Sequence, residues 1–136
     1  MSYLQTKSNI LTSVAKLLHD KSYYPAVAHG AYYSCYQLSK HIWLYRIGKS
    51  QDELDRPCST SMYGSHEVLI NEVGKYINEQ NRINKVDHVR IFKSKILQLK
   101  KLQIQADYDD TVFDSSKSQH ALSLSYDVLQ IVTQYQ

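Results

Sequence analysis

Apolar residues recur with a helical step along almost the whole chain. From about Thr6 to His19, Ile10, Leu11, Val14, Leu17 and Leu18 follow i, i+3, i+4 and i+7 spacing, which predicts a helix with one apolar stripe. The pattern changes at residues 22–46. There, apolar or small positions at 27, 31, 34, 38, 42 and 45 keep the helical step, but the opposite side is hardly polar. A helix apolar around most of its circumference is a buried central one. Ser22 is the expected N-cap, and Pro25 falls in the first turn, where its missing N–H costs nothing. Small residues (Ala26, Ala28, Gly30, Ala31, Ser34, Cys35, Ser39) let neighbouring helices approach, and Tyr24, Tyr32, Tyr33, Tyr36, Trp43 and Tyr45 supply contact area. Asp20-Lys21 leaves so short a turn that the first two helices must pair antiparallel.

Gly48 to Gly64 is polar and contains Arg56-Pro57, which predicts a long loop. A third helix is expected from near Ser65 to near Gln80, with Val68, Leu69, Val73, Tyr76 and Ile77 on one face and Gly74 weakening its middle. After a polar turn, Asp87 is the expected cap of a fourth helix running to about Ala106, with Val89, Phe92, Ile96, Leu99, Gln103 and Ala106 on one side. An acidic loop follows, with Asp107, Asp109, Asp110 and Asp114. Ser115 or Ser116 would then cap a last helix that turns Ala121, Leu122, Val128, Leu129, Val132 and Tyr135 inward. The expected fold is an all-α antiparallel bundle of about five helices, in one domain spanning 1–136.

Composition narrows the function classes. A chain of 136 residues buries roughly two thirds of its unfolded surface, so it needs neither metal nor disulfide to fold. Cys35 and Cys58 show no metal-ligand spacing and imply a reducing, cytoplasmic setting. No signal peptide or membrane-length apolar run is present in the sequence. The net charge of +3 does not by itself imply nucleic acid. Twelve tyrosines, each with an apolar body and a polar tip, favour self-association or a protein partner over any reaction.

Five groups of residues carry candidate chemistry. Arg90, Lys93, Lys100 and Lys101 fall within roughly 100° of helical arc, a stripe suited to RNA or nucleotide phosphates with tyrosines stacking on bases; the alternative is a solvated helix face. Arg82 and His88 satisfy an Arg-x5-His spacing, with His88 as acid or base and Arg82 stabilising phosphate charge. His29 and His41 lack a third donor for a metal and read as hydrogen-bonded, partly buried imidazoles. His66 reads as a helix-end hydrogen bond, and the acidic cluster as a solvated capping turn that fits no calcium loop. No metal or cofactor is expected.

The order Ser22-Tyr23-Tyr24-x-Ala26, then Ala31-Tyr32-Tyr33-Ser34-x-Tyr36, then Ser65-His66, then Ala106-Asp107-Tyr108 resembles the HEPN domain family in its small prokaryotic five-helix branch. The resemblance implies a helical bundle that dimerises through helix faces. It also implies a place in toxin–antitoxin or anti-phage defence modules, often beside a nucleotidyltransferase. Many members are metal-independent endoribonucleases using an Arg-x(4–6)-His motif at the dimer groove. This chain departs from them: Gln103 stands where the branch carries Arg, and Tyr108, Asp109 and Asp110 stand where active relatives place His. The resulting expectation is a non-catalytic homodimeric binding or assembly component, with Tyr32, Tyr33, Tyr36, His66, Asp107 and Tyr108 as interface or structural residues. Its dimer would use the edge of the central helix with the fourth or fifth. An endoribonuclease built on Arg82 and His88, and an accessory to a nucleotidyltransferase, are the alternatives.

Overall fold

The computed structural model describes residues 2–56, 64–80 and 87–136, and all regular structure among them is helical. The elements are α1 (Tyr3–Asp20), α2 (Tyr24–Ile42) with a π-helical turn Trp43–Ile47, α3 (Gln51–Asp55), α4 (Ser65–Gln80), α5 (His88–Tyr108) and α6 (Ser115–Val132), closed by a 3₁₀ turn Thr133–Tyr135. The expected all-α bundle is present and, among the described residues, holds one short helix, α3, that the sequence pattern does not suggest.

Local chemistry explains where the helix ends depart from expectation. α1 begins three residues before Thr6 because Ser2 and Gln5 form a reciprocal capping box, with Ser2 N donating to Gln5 Oε1 at 2.7 Å. Ser22 does not cap α2. It sits at φ 64°, and the Ser22 and Tyr23 N–H groups donate back to the His19 and Leu18 carbonyls. That is the left-handed closure of α1, so the backbone of Ser22 is spent on ending one helix and cannot begin the next. Tyr23 takes the N-cap position without a side-chain bond, and Pro25 lies in the first turn. The long loop holds α3, started by a Ser50–Glu53 capping box and pinned by buried Leu54 and by Trp43 Nε1 donating to the Ser50 carbonyl at 2.9 Å. Residues 57–63, Cys58 among them, lie outside the described residues. Asp87 caps α5 as expected, but α6 is capped by Asp114, which accepts from Lys117 N at 2.9 Å, and not by Ser115 or Ser116.

α2 is the central element. Val27, Ala28, Ala31, Tyr32, Cys35, Leu38 and Ile42 are buried on it, packed by Leu69, Val73 and Ile77 of α4, Phe92, Ile96 and Leu99 of α5, and Ala121, Leu124 and Val128 of α6. Small residues set the spacing. A Cβ on Gly30 would lie 3.4 Å from Ala15 Cβ, and Ser8 of α1 donates to the Ser34 carbonyl at 2.7 Å. Burial raises the Cys35 thiol to about 12, so it packs as an inert apolar group.

The stripe read on α1 is the main correction to the packing. Ser8 and Ala15 are its buried residues, whereas Ile10, Val14 and Leu17 are exposed. Because α2 is studded with small side chains, α1 approaches it through its own small residues, and that rotates the large apolar ones outward. Among the described residues no helix is long and apolar enough to cross a membrane.

Candidate functional site

The face of α2 that carries residues 29, 33 and 36 (spacing i, i+4, i+7) meets the first turn of α4 and the last turns of α5. On α5, Lys100, Gln103 and Asp107 share a face by i, i+3, i+7 spacing. These two stripes and His66 of α4 make one polar and aromatic cluster across three helices.

His66 is its hub. Its Nδ1 lies 2.7 Å from the hydroxyl of Tyr32, its ring stacks on Tyr36 at a centroid distance of 4.4 Å, and Tyr33 meets it edge-on at 6.0 Å. Burial and the nearby Lys100 ammonium lower the His66 pKa. Burial first, then the neighbouring Tyr33 and Tyr36, push the Tyr32 phenol far up. Tyr32 therefore keeps its proton, and because its hydroxyl is fully buried, giving that proton to Nδ1 is the assignment that satisfies it, with the imidazole proton on Nε2. Where the sequence suggests a helix-end hydrogen bond, the structure sets the His66 side chain against α2 and bonds it to Tyr32.

The second half of the cluster is a hydrogen-bonded chain. His29 Nδ1 donates to Asp107 Oδ2 at 2.8 Å, and the amide of Gln103, itself buried, donates to the same oxygen at 2.7 Å. His29 is thus bonded as expected but more open than expected, with 55% of its side chain exposed. Its ring lies 4.7 Å from that of Tyr33, whose pKa is raised by burial and by the neighbouring Tyr108 and Asp107. His41 points elsewhere: it is buried on the α1 side, with Nδ1 2.7 Å from Ser2 Oγ. Twelve residues amount to roughly 120° of rotation, enough to send the two histidines to different neighbours.

Comparison with protein-family models, curated proteins and solved structures returned no match. What the cluster does must be read from its own chemistry.

The remaining sequence candidates separate. Lys100 joins the cluster beside His66 and Lys101 is exposed one residue on, but Arg90 pairs with Asp87 at 3.3 Å, and Lys93 lays its alkyl chain over Gly74 of α4. The basic stripe is therefore split along roughly 16 Å of α5, and only its C-terminal half reaches the aromatic cluster. Tyr108 is the most open ring at the site, 78% exposed. His88, the alternative catalytic histidine, is buried at the start of α5 with Nδ1 2.6 Å from the Tyr135 hydroxyl, while Arg82 lies outside the described residues. Among the described residues no group of three His, Cys, Asp or Glu side chains could hold a metal.

The sequence marks His29 only as a hydrogen-bonded imidazole and Gln103 only as a departure from the family pattern, and it does not join the two in a site. The signal that could have found them was the pair of i, i+4, i+7 and i, i+3, i+7 stripes on the second and fourth predicted helices. Chemically the face offers stacking rings at Tyr33, Tyr36 and Tyr108, ammonium groups at Lys100 and Lys101, and two imidazoles, a mixture suited to a base joined to a phosphate.

Proposed function

We propose that this chain is a non-catalytic, self-associating binding component of HEPN type that takes RNA or a nucleotide on the α2–α4–α5 face and serves a prokaryotic defence or toxin–antitoxin module. The observation that carries this reading is the Gln103–Asp107–His29 chain. At the position where the resemblance calls for a cutting arginine stands a neutral amide, and its donor is consumed by a carboxylate. Gln103 itself therefore brings no positive charge with which to stabilise phosphate in a transition state. Lys100 and Lys101 beside the tyrosines support binding.

The test is fluorescence anisotropy with a labelled single-stranded RNA and, separately, with labelled ATP, over a salt series. Binding that weakens with salt, and a shallower salt dependence in Lys100→Glu/Lys101→Glu, support the reading. Binding unchanged by the double substitution overturns the face.

One observation favours a second reading. His29 is exposed and oriented by Asp107, the arrangement of a general base. If the protein cuts RNA in chelator, loss of cutting in His29→Ala assigns the activity to this pair, and loss in His88→Ala with His29→Ala intact assigns it to His88.

A further inference from the structure

The outward side of α1 has an order that its packing within the chain does not use. Tyr3, Ile10 and Leu17 recur every seven residues and Lys7, Val14 and Lys21 interleave with them every seven, the alternating four–three spacing of a heptad, which averages 3.5 over each full repeat. They form a narrow strip roughly 140° around the helix from buried Ser8 and Ala15. Tyr3 is 71%, Ile10 53%, Val14 39% and Leu17 56% exposed. A 3.5 repeat is the seam spacing of one helix paired with another. One edge of the strip is polar, with Thr6, Asn9 and Ser13, and the other runs into half-buried Leu4, Leu11 and Leu18, so the exposed apolar band is narrower than the face a helix lays on a lipid surface.

We propose that this strip is the seam of a two-fold dimer in which α1 packs antiparallel on α1 of a second copy of this chain. The inference rests on the self-association read above and moves its surface from the edge of the central helix to α1. Charge decides the occupant and the direction. A parallel pair would set Lys7 against the partner's Lys7 and Lys21 against the partner's Lys21, which is repulsive. An antiparallel pair centred on Thr12 sets Ile10 against the partner's Val14, Leu17 against the stem of the partner's Lys7, and Lys21 against the partner's Tyr3. Tyr3 already takes a cation on its ring, the Lys7 ammonium 5.0 Å from the centroid. The first turn of α1 has no acidic residue and its last residue is Asp20, so antiparallel pairing brings Lys7 within a helical turn of the partner's Asp20 and opposes the two helix dipoles. A helix with these properties is complementary to itself. The four apolar side chains present on the order of 400 Å² per protomer, a patch of interaction size but about half of what one partner gives to a standard interface. The dimer is therefore concentration-dependent, assembling over the micromolar range.

Sedimentation equilibrium on the wild-type chain and on Ile10→Glu tests the seam, and circular dichroism checks that the variant keeps its helix content. Wild type should pass from monomer to dimer mass as concentration rises, while Ile10→Glu should stay monomeric with wild-type helicity. Direction is tested on the wild-type protein with a zero-length carbodiimide cross-linker. Lys7 and Asp20 of one protomer are roughly 20 Å apart along α1, so a Lys7–Asp20 cross-link forms only between protomers and only in antiparallel pairing. That cross-linked peptide should appear in the dimer and vanish in Ile10→Glu. A dimer that persists in Ile10→Glu overturns the seam and leaves self-association standing. A wild-type chain monomeric at every concentration overturns both. A wild-type monomer that binds anionic vesicles, and loses that binding in Ile10→Glu, assigns the strip to lipid and overturns the dimer.

Discussion

Asp107 Oδ2 receives two hydrogen bonds, from His29 at 2.8 Å and from Gln103 at 2.7 Å, and so ties the N-terminal third of α2 to the last turns of α5. Gln103 is buried, so the carboxylate satisfies a donor largely shielded from water. Asp107→Ala should cost about 1–2 kcal/mol, mostly by orphaning Gln103, and Asp107→Asn should cost less because its carbonyl still accepts. Urea unfolding midpoints of the two variants, at unchanged slope, measure the difference.

Tyr32 is fully buried with its hydroxyl on His66. Removing the acceptor leaves that hydroxyl unpaired in the core, whereas removing the hydroxyl only frees a ring nitrogen at a half-buried residue. His66→Ala should therefore destabilise by about 2–3 kcal/mol, including the lost stack on Tyr36, and Tyr32→Phe by about 1 kcal/mol. The reverse order in thermal or urea melts would contradict the assignment of Tyr32 as donor.

Burial, then Lys100, depresses His66, and burial, then Arg46, depresses His41, both below the usual imidazole value of 6.5. The unfolded chain therefore takes up protons first as pH falls. The contribution of these two groups is fully present above about pH 6.5 and is lost as pH drops from there through their folded values. Unfolding free energies at about pH 7.5 and pH 5.5 should differ accordingly, and His66→Gln should narrow the gap. A gap that widens in His66→Gln would reverse the sign assigned here.

Gly30 marks a close approach of α2 to α1. Its absent Cβ would meet Ala15 Cβ at 3.4 Å and the Leu11 carbonyl oxygen at 3.5 Å. Gly30→Ala fits at the edge of contact and gains helix propensity, so its melting temperature should stay near wild type. Gly30→Leu must separate the helices and should cost about 2–3 kcal/mol.

Ser22 holds a left-handed backbone at the α1–α2 turn. Ser22→Gly removes the Cβ strain and should raise stability by up to about 1 kcal/mol, while Ser22→Val should lower it. If Ser22 were a cap, glycine would lower stability instead; a melt decides.

The sequence alone determined the fold class, the central place of residues 22–46, the third helix from Ser65 to Gln80 and the cap at Asp87, because periodicity and capping are local and are written within a few residues. It also put Tyr32, Tyr33, Tyr36, His66, Asp107 and Tyr108 on one roster, through order and spacing. Tertiary structure decided what those residues touch. That Gln103 serves Asp107 and not a phosphate, that His66 answers to Tyr32, and that the α1 stripe faces outward all depend on how closely helices approach, and Gly30 and Ser34 set that distance across residues far apart in the chain. An apolar stripe tells a helix that it must be covered, but the partner that covers it is chosen by shape, and shape exists only once the helices have packed.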